Sequence, residues 1–393
     1  MLKNKIEALA KENLQAFIEV RHHLHENPEL SFCENQTSLF IQNQLTSFGI
    51  SYKLMAGTGV VGLIEGKDPE SRCIALRADI DALPITEENE ISYKSKNMGV
   101  MHACGHDVHT TCLLGAAKIL QSLKDEWKGT VKLIFQPGEE KHPGGASLLI
   151  KEGVLRDPVP QGIIGLHVHP GLDEGKISFR KGMIMASADE IYITINGPGG
   201  HAAAPHLTTD IVLVAAQIII ALQQLVSRNA NPFSPTVLSI CAVNGGTATN
   251  IIPREIKLMG TFRAMDEAWR TKAHLLIEKI TTGIAASMGA KADINILKGY
   301  PTVKNDPSFT GNAWQLANEY QGEENVSETE LRMGAEDFGF YSQEIPGCFF
   351  RLGVRNEAKG ITHNVHTPTF NIDEAAIETG MGIMAWLGAN VFV

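Results

Sequence analysis

The sequence lacks paired cysteines, an excess of basic residues and a long apolar run. Its six cysteines are scattered singly over 393 residues, so we expect no disulfide framework and predict a reduced, cytoplasmic protein. The 34 lysines and arginines are outnumbered by 44 acidic residues, and the net charge of -10 argues against nucleic-acid and anionic-membrane partners. The most apolar run, Ile211–Leu222, is shorter than the about 20 residues of a membrane span and predicts a buried core helix.

The sequence contains no repeat and no low-complexity segment, and its composition is that of a globular protein with two or three domains. The first half alternates between helical and strand patterns, which predicts an α/β domain with a largely parallel sheet. The middle follows the order strand, helix, strand, strand, helix, strand over about 110 residues, which is typical of a small α+β domain. We therefore expect one α/β domain that is interrupted by an inserted, smaller domain.

Histidine is abundant, with 14 residues, and its densest cluster surrounds a cysteine. Cys104 and His106 are two positions apart, so both side chains can point the same way in an extended or turning backbone. Thiolate and imidazole are ligands of zinc-type metals. The segment that follows is a good helix, which predicts that this cluster lies in a loop before a helix N-terminus. The alternatives are a catalytic or redox thiol, or ordinary polar loop residues.

Two adjacent carboxylates form a second candidate site in the motif FQPGEE. A predicted strand leads into Glu139 and Glu140 through a proline–glycine turn, and open α/β sheets bind ligands in loops at the carboxyl ends of their strands. One glutamate of such a pair can hold a metal while its neighbour acts as general base on water. A solvated acidic turn is the alternative.

Three further pairs lie at predicted strand ends or near the C-terminus: His167 and His169, His363 and His366, and Asp79 and Asp81. Spacing does not decide which histidine of either pair is a ligand. Carboxylates at a strand end often orient ligand histidines through hydrogen bonds. Each signal is weak alone, but five such clusters in one chain together predict a metal site.

One more histidine, His201, lies in the predicted inserted domain between glycines and alanines. The small neighbours leave its ring sterically open, so it could donate a hydrogen bond to a substrate oxygen. An ordinary surface histidine is the alternative.

Eight motifs occur in a fixed order: RADIDALP, MHACGHDVHT, FQPGEE, GLHV, GGHAAAPH, NIIP, GAEDFGFY and HTPTFNIDE. Together they resemble the metal-dependent amidohydrolase and peptidase family of N-acyl-amino-acid deacylases. That family includes hippurate hydrolases, the amidohydrolases of auxin conjugates and, more distantly, aminoacylases and glutamate carboxypeptidases. The resemblance extends from about residue 14 to the C-terminus.

The resemblance implies an α/β catalytic domain of the di-metal aminopeptidase-like type, formed by residues 1–185 and 299–393. It also implies a ferredoxin-like α+β lid domain over residues 186–298, which makes a homodimer contact. The implied reaction is hydrolysis of the amide bond of N-acyl-L-amino acids such as N-acetyl or N-benzoyl derivatives. A carboxylic acid and a free amino acid would be released. A short-peptide carboxypeptidase or dipeptidase is the alternative within the family.

The resemblance also implies two divalent metal ions per subunit, zinc before manganese, cobalt or nickel. The implied metal ligands are Cys104, His106, Glu140, His167 and His366. It assigns Glu139 as the general base and Asp81 as the carboxylate that orients a ligand. Asp79 falls where the broader peptidase branch has a ligand histidine.

Three lid residues are implied to contact a small N-acyl amino acid or short peptide. His201 matches the histidine that reaches the substrate carbonyl, typically from the neighbouring subunit, whereas Asn250 and Arg263 match positions that hold the substrate carboxylate. The segment Lys141–Pro143 departs from the family pattern, because a run of glycines usually follows the glutamate pair.

Two different classes of protein are kept as alternatives. One is a thiol enzyme with Cys104 as its nucleophile, and the other is a non-catalytic metal-containing binding protein. The second has no use for a carboxylate beside a ligand glutamate, or for a lid histidine.

Overall fold

The computed structural model describes Met1–Phe392. Within these residues the α-helices are α1 Leu2–Glu26, α2 Asn35–Ser47, α3 His106–Ser122, α4 Gly145–Lys151, α5 Ile211–Leu222, α6 Glu267–Ser287, α7 Pro307–Gln321, α8 Phe338–Glu344 and α9 Ala376–Asn390. The first eight strands are β1 Ser51–Met55, β2 Gly59–Glu65, β3 Cys73–Asp79, β4 Thr130–Gln136, β5 Gly162–Asp173, β6 Ile177–Phe179, β7 Gly182–Met185 and β8 Asp189–Asn196. The others are β9 Gly200–His201, β10 Thr236–Asn244, β11 Ile251–Ile252, β12 Glu255–Ala264, β13 Lys291–Lys298, β14 Val303–Asn305, β15 Val326–Glu328 and β16 Gly347–Arg355.

The chain divides into two compact units. Unit 1 consists of Met1–Ile184, Lys304–Glu330 and Asp337–Val393. Unit 2 consists of Met185–Val303 and Leu331–Glu336. The second segment of unit 2 had no counterpart in the sequence prediction, because six residues carry no periodicity of their own.

Unit 1 is built on an eight-stranded sheet with the order β1-β2-β4-β3-β5-β16-β6-β15. Its central strands β4, β3, β5 and β16 pair in parallel, whereas β1, β2 and β4 form an antiparallel edge. All seven residues of β3 and of β4 are buried, and the polar ones among them, such as Arg77 and Lys132, are hydrogen-bonded. The parallel strands end at a common edge of the sheet, where polar residues follow each of them.

Two groups of helices cover this sheet. Helices α1, α3, α7 and α9 pack together and contact the strands β3 and β16, while α4 packs against α8. The core between the sheet and these helices consists of fully buried residues from strands and helices, among them Leu76 of β3, Leu113 of α3 and Ile383 of α9. The α/β class predicted from the sequence is therefore confirmed.

Unit 2 contains a four-stranded antiparallel sheet with the order β10-β12-β8-β13. Its strand β8 alternates buried and more exposed residues, as expected for a sheet that packs on one face only. Helices α5 and α6 pack against each other and against this sheet. Asp210 and Asp266 cap the two helices by accepting hydrogen bonds from backbone N–H groups of the first turn.

Helix α5 differs from the sequence prediction of a wholly buried core helix. Ile211, Val214, Ala215, Ile218 and Leu222 are buried, but the opposite face is apolar and exposed. The helical segment Ile211–Asn229 is long and apolar enough to cross a membrane by length and composition. This is weak evidence for a membrane span, because the core helix of a soluble protein passes the same test.

Candidate metal centre

The candidate site of unit 1 lies at the carboxyl edge of the central strands. Strand β3 ends at Asp79, β4 ends three residues before Glu139, and β5 carries His167 two residues beyond the end of its pairing with β3. Because β4, β3 and β5 are adjacent and parallel, their ends bring these side chains together.

A glycine between two candidate ligands shapes the backbone at the start of α3. Gly105 has φ +81°, and a Cβ at this position would lie 2.5 Å from Cγ2 of Val168. Only glycine fits both the left-handed conformation and this close approach. Cys104 and His106 flank this sharp turn, which lets their side chains point towards the same candidate site. Helix α3 begins at His106, so this candidate ligand sits in the first turn of the helix and not, as the sequence predicts, in the loop before it.

We call the five candidate ligands the donor cluster: Cys104, His106, Glu140, His167 and His366. The Sγ atom of Cys104 lies 3.5 Å from Nε2 of His167 and 3.3 Å from Nε2 of His366. Oε1 of Glu140 lies 3.2 Å from Nε2 of His366 and 4.0 Å from Nε2 of His106. His169 and His363, the competing histidines of the sequence analysis, belong to none of the candidate ligand groups among the described residues.

The donor cluster fits a metal by the state of its donor atoms. Nε2 of His106 and Oε1 of Glu140 are buried and make no hydrogen bond within the described part of the chain. The other ring nitrogens are engaged: Nδ1 of His106 donates to Oδ1 of Asp81 at 3.1 Å, and Nδ1 of His167 donates to the carbonyl of Val168 at 2.8 Å. Buried atoms without a hydrogen bond are costly unless another partner, such as a cation, takes their lone pairs.

The electrostatics of the donor cluster also favour a cation. A hydrogen bond to Cys104 and the negative charge of Glu140, whose Oε1 lies 3.2 Å from Nε2, raise the pKa of His366 to about 10. Burial lowers the pKa of His106, but Asp79, Cys104 and Asp81 outweigh it, so this pKa stands well above its ordinary value. Burial and the neighbouring Glu140 raise the pKa of the Cys104 thiol. An environment that draws protons onto two imidazoles would stabilise a divalent cation for the same reason.

Asp79 and Asp81 both support other residues of the site. Oδ1 of Asp79 accepts from Nδ1 of His109 at 2.6 Å, and its Oδ2 accepts from Nη1 of Arg77 at 2.6 Å. Both carboxylate oxygens of Asp79 are therefore engaged, which favours a supporting role over metal ligation. Asp81 accepts from Ser31 at 2.6 Å and from the backbone N–H of Glu140 at 2.9 Å, in addition to His106.

The candidate general base, Glu139, lies beside the donor cluster. One of its carboxylate oxygens, a ring nitrogen of His106 and a carboxylate oxygen of Glu140 all lie within 4.8 Å of one another, and the Glu139 side chain is buried. The backbone N–H of Asp337 donates to its Oε1 at 3.4 Å. The two adjacent glutamates thus have different surroundings.

The lid residues named in the sequence analysis all belong to unit 2. His201 is exposed on β9, which pairs with β11, and the carbonyl of Asn250 accepts from the N–H of Ala202 at 3.0 Å. His201 and Asn250 are therefore neighbours on one two-stranded ribbon. Arg263 lies near the far end of β12, where it pairs in register with Val237.

Sequence reasoning missed several supporting residues. His109 is not among the candidate residues of the sequence analysis, although its position three residues after His106 puts both on one helix face. Glu34 and Arg77 carried no signal, because their role depends on contacts with distant parts of the chain. Oε1 of Glu34 accepts the N–H of Gly138 at 2.8 Å, next to Glu139.

Comparison with known proteins defines the class to which this fold and site belong. The model of Peptidase family M20/M25/M40 matches residues 75–387. The chain therefore belongs to this family of hydrolases, and the family resemblance seen in the sequence motifs is confirmed.

The individual relatives named here cover 79–96% of this chain. The N-acyl-L-amino acid amidohydrolase of Geobacillus stearothermophilus is 42% identical over 317 residues, which are 79% of this chain and 85% of that protein. Thermostable carboxypeptidase 2 of Saccharolobus solfataricus is 39% identical and covers 96% of both chains. The crystal structure of Bacillus subtilis YXEP protein, a dinuclear metal binding peptidase from the M20 family, has a TM-score of 0.84 and 35% identity. It covers 96% of this chain and 98% of its own.

Proposed function

We infer that this chain is a metal-dependent amidohydrolase that cleaves the amide bond of N-acyl-L-amino acids. Water is consumed, and a carboxylic acid and a free amino acid are released. The observation that carries the inference is the donor cluster beside the separate carboxylate of Glu139. Two buried donor atoms of the cluster make no hydrogen bond among residues 1–392. The similarity to an N-acyl-L-amino acid amidohydrolase over 79% of the chain supports the choice of substrate class.

The donor cluster would hold two divalent metal ions, as in the dinuclear Bacillus relative. Its thiolate, imidazole and carboxylate donors suit zinc first, with manganese, cobalt and nickel as alternatives. When bound, such ions would supply Lewis-acid activation of the substrate carbonyl and of a water molecule. The buried surroundings of the cluster would strengthen every charge interaction within it.

Glu139 is the residue to which we assign proton transfer. Its carboxylate would take the proton of the attacking water and later give it to the amine that leaves. Because the side chain is buried and Asp337 donates to one of its oxygens, its position is restricted. Asp81 would act indirectly, by holding the ring of His106 and the backbone of Glu140.

The lid residues would recognise two groups of the substrate, the carbonyl of the amide that is cleaved and the free carboxylate. Nδ1 of His201 accepts from the N–H of Ala203 at 3.0 Å, so the neutral ring carries its proton on Nε2 and can donate it to the carbonyl oxygen. Arg263 offers a planar pair of donors for a carboxylate, and Asn250 offers an amide next to His201. This arrangement would favour substrates that carry a free carboxylate.

The geometry within unit 2 supports a site that is shared between two copies of the chain. The ribbon with His201 and Asn250 continues the β8–β12 pairing beyond Glu255, whereas Arg263 lies eight residues along β12 in the other direction. Eight residues of a strand span about 26 Å. An N-acyl amino acid spans about two residue lengths, or about 7 Å. One small substrate could therefore not contact His201 and Arg263 of the same chain, which favours a homodimer formed through the lid.

The exposed face of α5 supports the same proposal. Val212 and Leu213 are each 50% exposed and Ile220 is 67% exposed, on a helix of the proposed lid. The exposed face is largely apolar and is interrupted by Gln217, and an exposed apolar patch of this kind commonly marks a protein–protein contact. All six cysteines are free, which suits the reducing cytoplasm that we propose for the enzyme.

Hydrolysis of short peptides from their carboxyl end is a second candidate. The relative that covers 96% of the chain is named a thermostable carboxypeptidase, and a free carboxylate is common to both substrate classes. The two activities differ in whether the acyl group is itself an amino acid.

A substrate screen on the zinc-loaded protein tests these proposals. N-acetyl, N-benzoyl and indole-acetyl amino acids would be compared with dipeptides and with N-blocked dipeptides, and release of the free amino acid would be measured. We expect the N-acyl amino acids to be cleaved fastest and a strong chelator to abolish the activity. Activity that survives complete metal removal would support the thiol enzyme instead, and the absence of all hydrolysis would contradict the proposed reaction.

A further inference from the structure

His109 is a buried histidine outside the donor cluster whose two ring nitrogens are both engaged. Nε2 lies 2.9 Å from the backbone nitrogen of Val168, and Nδ1 lies 2.6 Å from Oδ1 of Asp79. A backbone N–H can only donate, so Nε2 is the acceptor and the proton of the neutral ring is on Nδ1. These two bonds fix the tautomer and the orientation of the ring.

The peptide that His109 holds is adjacent to a candidate ligand. Val168 follows His167, and its carbonyl accepts from Nδ1 of His167 at 2.8 Å. This bond leaves the lone pair of the other nitrogen, Nε2, directed at the donor cluster, where it lies 3.5 Å from Sγ of Cys104. The orientation of His167 therefore depends on where the Val168 peptide sits.

His109 contacts β5 at a point where β3 no longer forms backbone hydrogen bonds with it. The pairing of β3 with β5 ends at Arg77 and Gly165, before the strand reaches His167. Beyond that point the imidazole of His109 ties β5 to Asp79, the last residue of β3. Asp79 is in turn held by Arg77, which donates to its Oδ2 at 2.6 Å.

We propose that His109 is a positioning residue that aligns His167 with Cys104 for metal binding, by holding the Val168 peptide against Asp79. The proposal rests on the proposed metal-dependent function and deepens it. A buried histidine with only a packing role would need neither bond, whereas His109 makes both, to two elements that carry site residues. Residues that orient ligands in this way commonly change metal affinity by 10–100-fold.

The test compares His109→Leu with His109→Gln. Leucine keeps an apolar side chain in the buried space without either hydrogen bond. Glutamine can accept from Val168 through its amide oxygen and donate to Asp79 through its amide nitrogen. A matched control is His102→Leu, because His102 is equally buried and makes no hydrogen bond with either ring nitrogen within the described residues.

Zinc affinity by chelator competition and the absorption spectrum of the cobalt-substituted protein are the readouts. We expect His109→Leu to bind one of its two ions at least about 10-fold more weakly and to change the thiolate-to-cobalt band of Cys104. His109→Gln should recover most of the affinity, and His102→Leu should resemble the wild type. If the leucine variant does not fold, His109→Asn replaces it. Asparagine can still donate to Asp79 but is too short to reach Val168, so the same loss is expected.

Two results would overturn the proposal. Folded His109→Leu with wild-type affinity for both ions and an unchanged cobalt spectrum would show that His167 does not need His109. Equal losses in the leucine and glutamine variants would show that ring packing matters rather than the hydrogen bonds. Failure of the proposed function is distinguishable from both, because it would appear in the wild type, which would then bind no stoichiometric zinc or hydrolyse no N-acyl amino acid.

Discussion

Glu139 and Glu140 are adjacent and chemically identical, yet their surroundings separate them. Glu140 directs Oε1 at two imidazoles of the donor cluster, whereas Glu139 receives the N–H of Asp337. The division between ligand and base is therefore set by neighbours rather than by residue type. This is why one of the pair can be changed while the metal site is kept.

Replacement Glu139→Gln is expected to leave metal binding intact and to lower turnover by at least about 100-fold. The amide cannot accept the proton of water, although its shape is nearly unchanged. Steady-state kinetics together with metal analysis of the same sample would measure both effects. Wild-type turnover in the metal-loaded variant would exclude Glu139 as the base.

At the residue scale, the sequence indicates candidate residues for the chemistry but not the contacts that support them. Cys104, His106 and the glutamate pair stand out because ligand-type residues follow predicted strands, and parallel strands end at one edge. Arg77 and Glu34 could not be found in this way. Their importance lies in single hydrogen bonds to residues far away in the chain, and no local pattern encodes such bonds.

At the scale of elements, the loop after β4 is held by a buried carboxylate. Glu34 accepts the N–H of Gly138 through Oε1 and the hydroxyl of Thr58, at 2.7 Å, through Oε2. Gly138 has φ +57°, and a Cβ there would lie 2.3 Å from the ring of Phe32. The loop thus passes between the start of α2 and an aromatic ring, immediately before Glu139.

Replacement Glu34→Ala should lower kcat by about 10–100-fold, because a displacement of the catalytic loop by about 1 Å is enough for such a loss. Glu34→Gln is the matched control, since its amide oxygen can still accept from Gly138, and it should keep most of the activity. Kinetics on both variants, with circular dichroism to check folding, would measure the effect. Equal activity in the two variants would contradict a role for this hydrogen bond.

Asp189 joins the first strand of unit 2 to helix α6. It accepts from Nε of Arg270 at 2.9 Å and lies 2.7 Å from Nε2 of His274. Burial raises its pKa, but the bonds to His274 and Arg270 outweigh this and lower the pKa from 3.8 to about 2. The ionised form is thus favoured by about 2 kcal/mol in the folded state.

Replacement Asp189→Asn should therefore destabilise the protein in a pH-dependent way. At pH 7 we expect a loss of about 3 kcal/mol, because Arg270 keeps Glu267, 3.1 Å from its Nη1, but loses its fully buried partner. The carboxylate's contribution is complete above pH 3.8 and is lost as the pH falls towards 2, so the difference from wild type should shrink in that range. Urea unfolding of both proteins at pH 7 and near pH 2.5 would measure it. A difference that does not change with pH would contradict the assignment.

The helix and strand patterns predicted most elements because apolar periodicity follows burial. The start of α3 at His106 was missed, since the first turn contains polar site residues instead of an apolar stripe. The exposed face of α5 was missed for the opposite reason: its residues are apolar without being buried in one chain. Periodicity cannot distinguish burial in a core from burial against a partner.

At the scale of the whole molecule, the proposed dimer can be tested on α5. Replacement Ile220→Lys puts a charge on its exposed apolar face and should convert the dimer to a monomer, because burying an unpaired charge is costly. Met98→Lys is the control, since Met98 is 96% exposed in unit 1. Light scattering after size-exclusion chromatography would measure both. A monomeric wild type, or a dimeric Ile220→Lys variant, would contradict the proposed interface.

Mixed dimers test whether the active site is shared. His201→Ala and Glu139→Gln subunits should each be nearly inactive alone, but heterodimers should regain part of the wild-type activity. One of their two sites would then combine an intact base with an intact lid histidine from the other subunit. Activity assays on purified, doubly tagged heterodimers would measure this, and no recovery would indicate that each chain completes its own site.

The order of the strands has a consequence for synthesis of the chain. Strand β16, at Gly347–Arg355, lies in the sheet between β5 and β6, although both neighbours are made about 170 residues earlier. The larger segment of unit 2, Met185–Val303, is also synthesised before β16. The sheet that bears the donor cluster can therefore close only near the end of translation. Until then β5, the strand of His167, exposes an unpaired edge that a chaperone could protect.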